Sequence, residues 1–229
     1  MNTVPVNQNL GSNNGTLYVG MQAGTGGFDY GNSKKYLYLS PDNSFRYGYY
    51  KEGYFSYNTQ LDRTKSPDFA GNYKTAGNSI ILNFYSGRTM QFTVNSNKDL
   101  DGGGYRLTRF PSLNGHTIEG VYSQPNQRAD VNGKVRMAAL HKNGRFEDDG
   151  LLLIGNLIDP SLPYPVWQQK TIENATPGNG SYVIVDNSLL LSYDDGRRIQ
   201  LMIYISLEEI NNPSPKLVVV AGESFTRVK

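Results

Sequence analysis

Four short blocks recur in the same order about a hundred residues apart in this 229-residue chain, and that repeat constrains its fold more than any other feature. Asn14-Gly15-Thr16-Leu17-Tyr18-Val19-Gly20 reappears as Asn114-Gly115-His116-Thr117-Ile118-Glu119-Gly120. Leu39-Ser40-Pro41-Asp42-Asn43-Ser44-Phe45 reappears as Leu140-His141-Lys142-Asn143-Gly144-Arg145-Phe146. Gly71-Asn72-Tyr73, Asn78-Ser79, Leu82 and Gly87-Arg88 match Gly180-Ser181-Tyr182, Asn187-Ser188, Leu191 and Gly196-Arg197. Last, Gly104-Tyr105-Arg106-Leu107-Thr108-Arg109-Phe110 matches Gly222-Glu223-Ser224-Phe225-Thr226-Arg227-Val228. The offset grows from 100 (14 to 114) to 101 (39 to 140), 109 (71 to 180) and 118 (104 to 222), so insertions fall between blocks, where loops accept them. The chain therefore reads as a duplication, with a loose arm over 1–13, a first repeat over 14–110 and a second over 114–229. The link Phe110-Pro111-Ser112-Leu113 is so short that the two repeats are expected to pack on each other.

The blocks have the pattern of strands. Tyr36, Tyr38 and Ser40 fall on one face, Leu37 and Leu39 on the other; after the turn at Pro41-Asp42-Asn43, Phe45, Tyr47 and Tyr49 share a face again. Asn78 and Asn187 are expected to take the left-handed turn position, and Asp195-Gly196 marks a further hairpin. Only Ser206–Ile210 reads as helical, with Ser206 and Glu209 in capping-box spacing. With 25 Gly among abundant Asn and Ser, a helical bundle is excluded. The fold class is all-β: two tandem small antiparallel meander β-barrels, a sandwich being the alternative.

Charge and targeting signals exclude other classes. The net charge is +2, and no run of Lys and Arg exceeds two residues, so no nucleic-acid partner is expected. There is no cysteine, hence no disulfide and no thiolate metal site. No apolar run approaches the roughly 20 residues of a membrane-spanning helix. The first thirty residues lack a basic segment followed by an apolar one, so the expected location is the cytoplasm, or outside a bacterial cell with a signal already removed.

Gly20 and Gly120 lie close to Tyr18 and Tyr122 on the first strand of each repeat, and Thr108-Arg109 and Thr226-Arg227 lie on the last. This arrangement resembles the lipocalin-like (calycin) barrels, in which an opening Gly-x-Trp strand lies under an arginine of the closing strand. Tyr18 or Tyr122 would replace the tryptophan, which neither repeat has, and Arg109 or Arg227 would be the arginine. The resemblance covers a handful of positions in each repeat. It implies a closed barrel whose mouth takes a small, mostly apolar molecule, with the arginine sealing the barrel end.

The repeats have diverged. Residues 1–110 hold 12 of the 17 Tyr and 7 of the 9 Phe. Tyr36, Tyr38, Tyr47 and Tyr49 are the candidate ligand-binding residues, because a flat ring with a polar tip suits an amphipathic ligand; the alternative is core and cross-strand pairing. Trp167, on the inserted loop of the second repeat, would be a lid or a plug. Asn97, Asp99 and Asp101 place three oxygen side chains at alternate positions before Gly102, the spacing of a calcium loop, although the twelfth position is Thr108 rather than Glu. A solvated turn is the other reading. His116 and His141 have no metal-ligand spacing, and Asp148-Asp149 and Asp194-Asp195 read as turns unless the pairs converge for acid–base work. No phosphate loop, dinucleotide fingerprint or nucleophile elbow occurs, so no cofactor is expected apart from calcium. The readings that remain are non-catalytic binding of a small amphipathic or hydrophobic ligand in a barrel pocket, a cofactor-independent cyclase or isomerase, and a Tyr-rich protein–protein or surface-adhesion module.

Overall fold

In the computed structural model every described strand belongs to one of two closed antiparallel barrels of eight strands. Residues 15–22, 34–50, 53–55, 59–125, 133, 135–152 and 176–229 are described. The first barrel comprises β1 (Thr16–Gln22), β2 (Lys35–Leu39), β3 (Ser44–Tyr47), β4 (Ala70–Ala76), β5 (Ser79–Phe84), β6 (Thr89–Val94), β7 (Leu100–Gly102) and β8 (Tyr105–Phe110), with a short helix α1 (Thr59–Lys65) before β4. The second comprises β9 (Gly120–Ser123), β10 (Ala138–Leu140), β11 (Arg145–Asp148), β12 (Gly178–Val185), β13 (Ser188–Tyr193), β14 (Arg198–Ile205), β15 (Leu217–Val220) and β16 (Glu223–Arg227). In each, successive strands pair as neighbours and the last closes on the first.

Period-two alternation decides what fills the barrels. In the first, Leu37, Phe45, Leu82, Phe92, Leu100 and Leu107 point inward and are fully buried, and Tyr47 joins the same cluster. In the second, Phe146, Ile184, Leu189, Leu191, Leu201, Ile203, Val218 and Phe225 do so. Eight strands enclose a lumen just wide enough for side chains or one small ligand, and here side chains occupy it.

The registers carry the duplication down to single residues. Leu39 faces Phe45 as Leu140 faces Phe146, and Ile80 faces Phe92 as Leu189 faces Leu201. Gly71 and Gly180 are equivalent because a Cβ at either would lie 2.0 Å from the Asn83 carbonyl oxygen or 2.2 Å from the Ser192 one, which no side chain tolerates. Arg88 stacks on Phe84 at 3.8 Å and Arg197 on Tyr193 at 4.0 Å, again equivalent positions. The first strand departs from the sequence match. Tyr18 faces Leu37 and Arg109, and Tyr122 faces Ala138 and Arg227, so Tyr18 corresponds to Tyr122 at an offset of 104 (18 to 122) rather than 100. The Asn-Gly identity at the two block starts drew the match four residues out of step.

Three local expectations are corrected. Asn187 does take positive φ (56°), with Asp186 beside it (48°), but in the first repeat Gly77 (60°) and not Asn78 holds that position. A Gly-first turn of this kind and a two-residue left-handed turn both match strand twist, so either sequence closes the hairpin. Ser206 makes no side-chain cap: Leu207–Glu209 is a single 3-10 turn, and Glu209 instead accepts from the backbone N–H groups of Lys216 and Leu217. Helix α1 carries no strong sequence signal, and tertiary contact sets it: buried Asp62 accepts from Arg46 Nη1 at 2.8 Å.

A third buried cluster draws on both barrels. Leu17, Val19, Tyr36 and Tyr38, on the outward faces of β1 and β2, meet Met202, Tyr204 and Val219, on the outward faces of β14 and β15. Segment 48–69, between β3 and β4, adds further contacts. Ser188 Oγ accepts from the backbone N–H groups of Tyr54 (2.7 Å) and Phe55 (2.9 Å), and the Tyr49 hydroxyl donates to the Ala221 carbonyl. The link joins in, since Asn114 Oδ1 accepts from Asp186 N at 2.5 Å and Asn187 Nδ2 donates to the Pro111 carbonyl at 3.3 Å.

Candidate functional site

The four tyrosines of the aromatic stretch separate into two places. Tyr47 points into the first lumen, edge-on to Phe84 at 6.0 Å. Tyr36 and Tyr38, one residue out of phase with the leucines of β2, point outward into the cluster between the barrels. Tyr38 stacks on fully buried Tyr54 at 4.1 Å with the rings 7° from parallel. Tyr36 meets Tyr204 edge-on at 6.3 Å. Tyr49 follows the β3 end and reaches the same region, 5.7 Å from Tyr36. Trp167 lies outside the described residues. Burial raises the Tyr36, Tyr38, Tyr54 and Tyr204 phenols above their ordinary value, so they keep their protons at neutral pH. A neutral phenol held in an apolar contact packs and donates hydrogen bonds, but it is a poor base.

The loop residues are engaged by the protein. Asn95 Oδ1 accepts from the backbone N–H groups of Asn97 and Asp99, and Asp99 Oδ1 accepts from Arg109 N. The Arg106 guanidinium lies 3.6 Å from Asp99 Oδ2 and 3.9 Å from Asp101 Oδ1, between the two carboxylates. A cation there would have to displace it. Among the described residues, no three His, Asp or Glu side chains gather at metal-ligating range.

The acidic pairs do not converge on a shared proton. Asp148 is buried; its Oδ1 accepts from Leu151 N and Leu152 N, and its Oδ2 accepts the Tyr193 hydroxyl at 2.7 Å. Desolvation raises its carboxyl above the usual range against these hydrogen bonds. Asp194 binds Arg145 and Asp195 binds Arg197, and these partners hold both carboxyls low. The equivalents of Asp148 and Tyr193 in the first repeat are Tyr47 and Phe84, so an aromatic pair in one lumen is a carboxyl–phenol pair in the other.

The residues behind the calycin resemblance do meet. Tyr18 is the cross-strand partner of Arg109, and Tyr122 of Arg227. Each arginine also lines an open cleft. The first, of about 460 Å³, is formed by Asn97, Asp99, Thr108, Arg109 and Pro111 with Leu207 of the second repeat. The second, of about 360 Å³, lies against Glu119, Val121, His141, Ser214, Arg227 and Lys229. Sequence reading had no means of finding the first, because Leu207 enters it from 98 residues beyond Arg109 (109 to 207).

No family model matches the chain, and neither the curated proteins nor the solved structures contain a significant match to it. The fold and the clefts are thus the whole basis for a functional reading. The class they define is an all-β protein of two closed eight-stranded antiparallel barrels. Among the described residues, no helix is long and apolar enough to cross a membrane.

Proposed function

We propose that the chain is a non-catalytic binding module of the lipocalin-like type, that its two barrels pack as one unit, and that its small amphipathic ligand lies in the cleft between Arg109 and Leu207 rather than in a lumen. One observation carries this reading. Side chains fill both lumens, while the cleft of about 460 Å³ is in the size range of small-molecule sites and combines polar Asn97, Thr108 and Arg109 with apolar Pro111 and Leu207. Catalysis has less support, since the one buried carboxyl–phenol pair among the described residues, Asp148 with Tyr193, is tied to backbone N–H groups and lies in a packed core. Native mass spectrometry of freshly purified chain tests the proposal. The expected result is one retained small molecule per chain, lost in Leu207→Asp. A bare chain whose amide spectrum does not respond to any of a panel of small amphiphiles would sink it.

A second reading, a surface for protein partners, is favoured by a comparison of the two repeats. Four residues of the first barrel that meet the second have apolar equivalents, Leu17 corresponding to Val121, Tyr36 to Met137, Tyr38 to Ala139 and Phe110 to Val228, while Val19 corresponds to the polar Ser123. Met137 and Val228 are 37% and 50% exposed, whereas Tyr36 and Tyr38 are buried. If this face serves partners, sedimentation velocity will show association that Met137→Asp abolishes.

A further inference from the structure

The duplication supplies an internal control for the two closing-strand arginines. In the second repeat, β14 and β15 are joined by residues 206–216, and Arg227 Nη1 donates to the Ser214 carbonyl of that loop at 2.5 Å. Its methylenes pass over Gly120, where a Cβ would lie 2.9 Å from Arg227 Cδ. Arg227 is thereby held as part of the barrel end. In the first repeat, the joining loop is only residues 95–99, and no carbonyl of it reaches Arg109. Among the described residues, nothing accepts a hydrogen bond from the Arg109 guanidinium; only its backbone N–H is engaged, by Asp99. Asp99 turns its other oxygen towards Arg106, so its charge is balanced within the first barrel. Arg109 is exposed, faces the cleft of about 460 Å³, and has Leu207 (46% exposed) and Pro111 as apolar walls.

A guanidinium with no protein acceptor, beside an exposed apolar wall, is suited to a ligand that is anionic at one end and apolar at the other. We propose that this cleft binds a single-chain amphiphile with an anionic head, carboxylate or phosphate monoester. The head pairs with Arg109, Asn97 and Thr108 supply hydrogen bonds, and the chain lies along Leu207 and Pro111. The second repeat's cleft does not do this, because Ser214 already occupies its arginine. The inference rests on the cleft reading above and adds the chemistry of the ligand and the residue that selects it.

The test uses decanoate, decyl phosphate and decanol with the full chain, by calorimetric titration and by mapping amide shifts. Decanoate or decyl phosphate is expected to bind at one site, shifting the Thr108 and Leu207 amides, and about tenfold or more tighter than decanol, the scale of one charge-assisted hydrogen bond. Whichever anion binds tighter identifies the head group. Arg109→Gln should remove that advantage, and Arg109→Lys should retain part of it. If decanol binds as tightly as the anions, or Arg109→Gln is without effect on them, the anionic head is overturned while the cleft survives. If none of the three shifts Thr108 or Leu207, the cleft itself is overturned. Shifts confined to His141, Ser214 and Arg227 would reverse the assignment of the two repeats.

Discussion

Ser188→Ala removes one oxygen atom from the second barrel, and its main effect is expected in a segment of the first. Ser188 Oγ is the acceptor for two backbone donors, Tyr54 N at 2.7 Å and Phe55 N at 2.9 Å, and Ser188 is fully buried. Alanine fits the space but leaves both donors without their acceptor. Each buried unsatisfied donor costs about 1–3 kcal/mol, and Phe55 is only partly buried, so the expected loss is about 2–4 kcal/mol. With a urea slope of about 2–3 kcal/mol per molar, the unfolding midpoint should fall by about 1 M. Hydrogen exchange locates the effect, since the Tyr54 and Phe55 amides should lose protection before those of β13. The equivalent serine of the first repeat is a control: Ser79, the first residue of β5, accepts from Gln91 Nε2 in an exposed hydrogen bond, so Ser79→Ala should change stability by less than about 0.5 kcal/mol. If Ser188→Ala leaves the midpoint and both amides where they were, or if the two substitutions cost the same, the contact between segment 48–69 and the second barrel is not as described.

Further outcomes follow from the same structure. Gly71→Ala and Gly180→Ala should each cost about 1–3 kcal/mol or more by forcing strands apart, read as a lower melting temperature; a tolerated alanine at either would contradict the approach of β5 or β13. Phe92→Ala should cost about 3–5 kcal/mol and open a dry lumen, detectable as stabilisation by benzene that the parent chain lacks. Burial raises the Asp148 carboxyl in the folded chain, so its anion opposes folding: its contribution is most favourable at low pH and declines as pH rises above 3.8 through the folded value. Asp148→Asn should therefore flatten the pH dependence of the urea midpoint over that window, and an unchanged slope would count against the raised carboxyl. Millimolar calcium should leave the melting temperature unmoved, because Arg106 lies between Asp99 and Asp101; a rise reversed by chelator would show that the loop takes a cation after all.

Much of the fold was legible because duplication writes every constraint twice. Leu37 and Leu39 alternate with Tyr36 and Tyr38, and that period of two separates lumen from outer face without further information. The pairing of Tyr18 with Arg109 and of Tyr122 with Arg227 was legible in the residues at either end of each repeat, although the first-strand offset was not, because a shared Asn-Gly pulled the match out of register. Which face of β2 would be covered was beyond local pattern. Tyr36 and Tyr38 look the same whether they line a pocket, meet solvent or meet Met202 and Tyr204, and the difference lies in residues more than 160 positions away (36 to 204). Helix α1 escaped for a related reason, since the Arg46–Asp62 pair that fixes it is a tertiary contact on a segment of weak propensity. The cleft at Arg109 escaped because two repeats build it jointly.

The contacts of Tyr49 and Tyr54 also bear on how the chain is made. Their partners follow late in the sequence, Ala221 by 172 residues and Ser188 by 134. At ribosomal speeds of about 5–20 residues per second, the first barrel waits on the order of 10–30 s with Tyr36, Tyr38 and the segment after β3 uncovered. During that interval the nascent chain offers an aromatic sheet face to anything nearby. A chain truncated before Ser188 would leave Tyr36 and Tyr38 without Met202, Tyr204 and Val219, an aromatic sheet face with nothing over it.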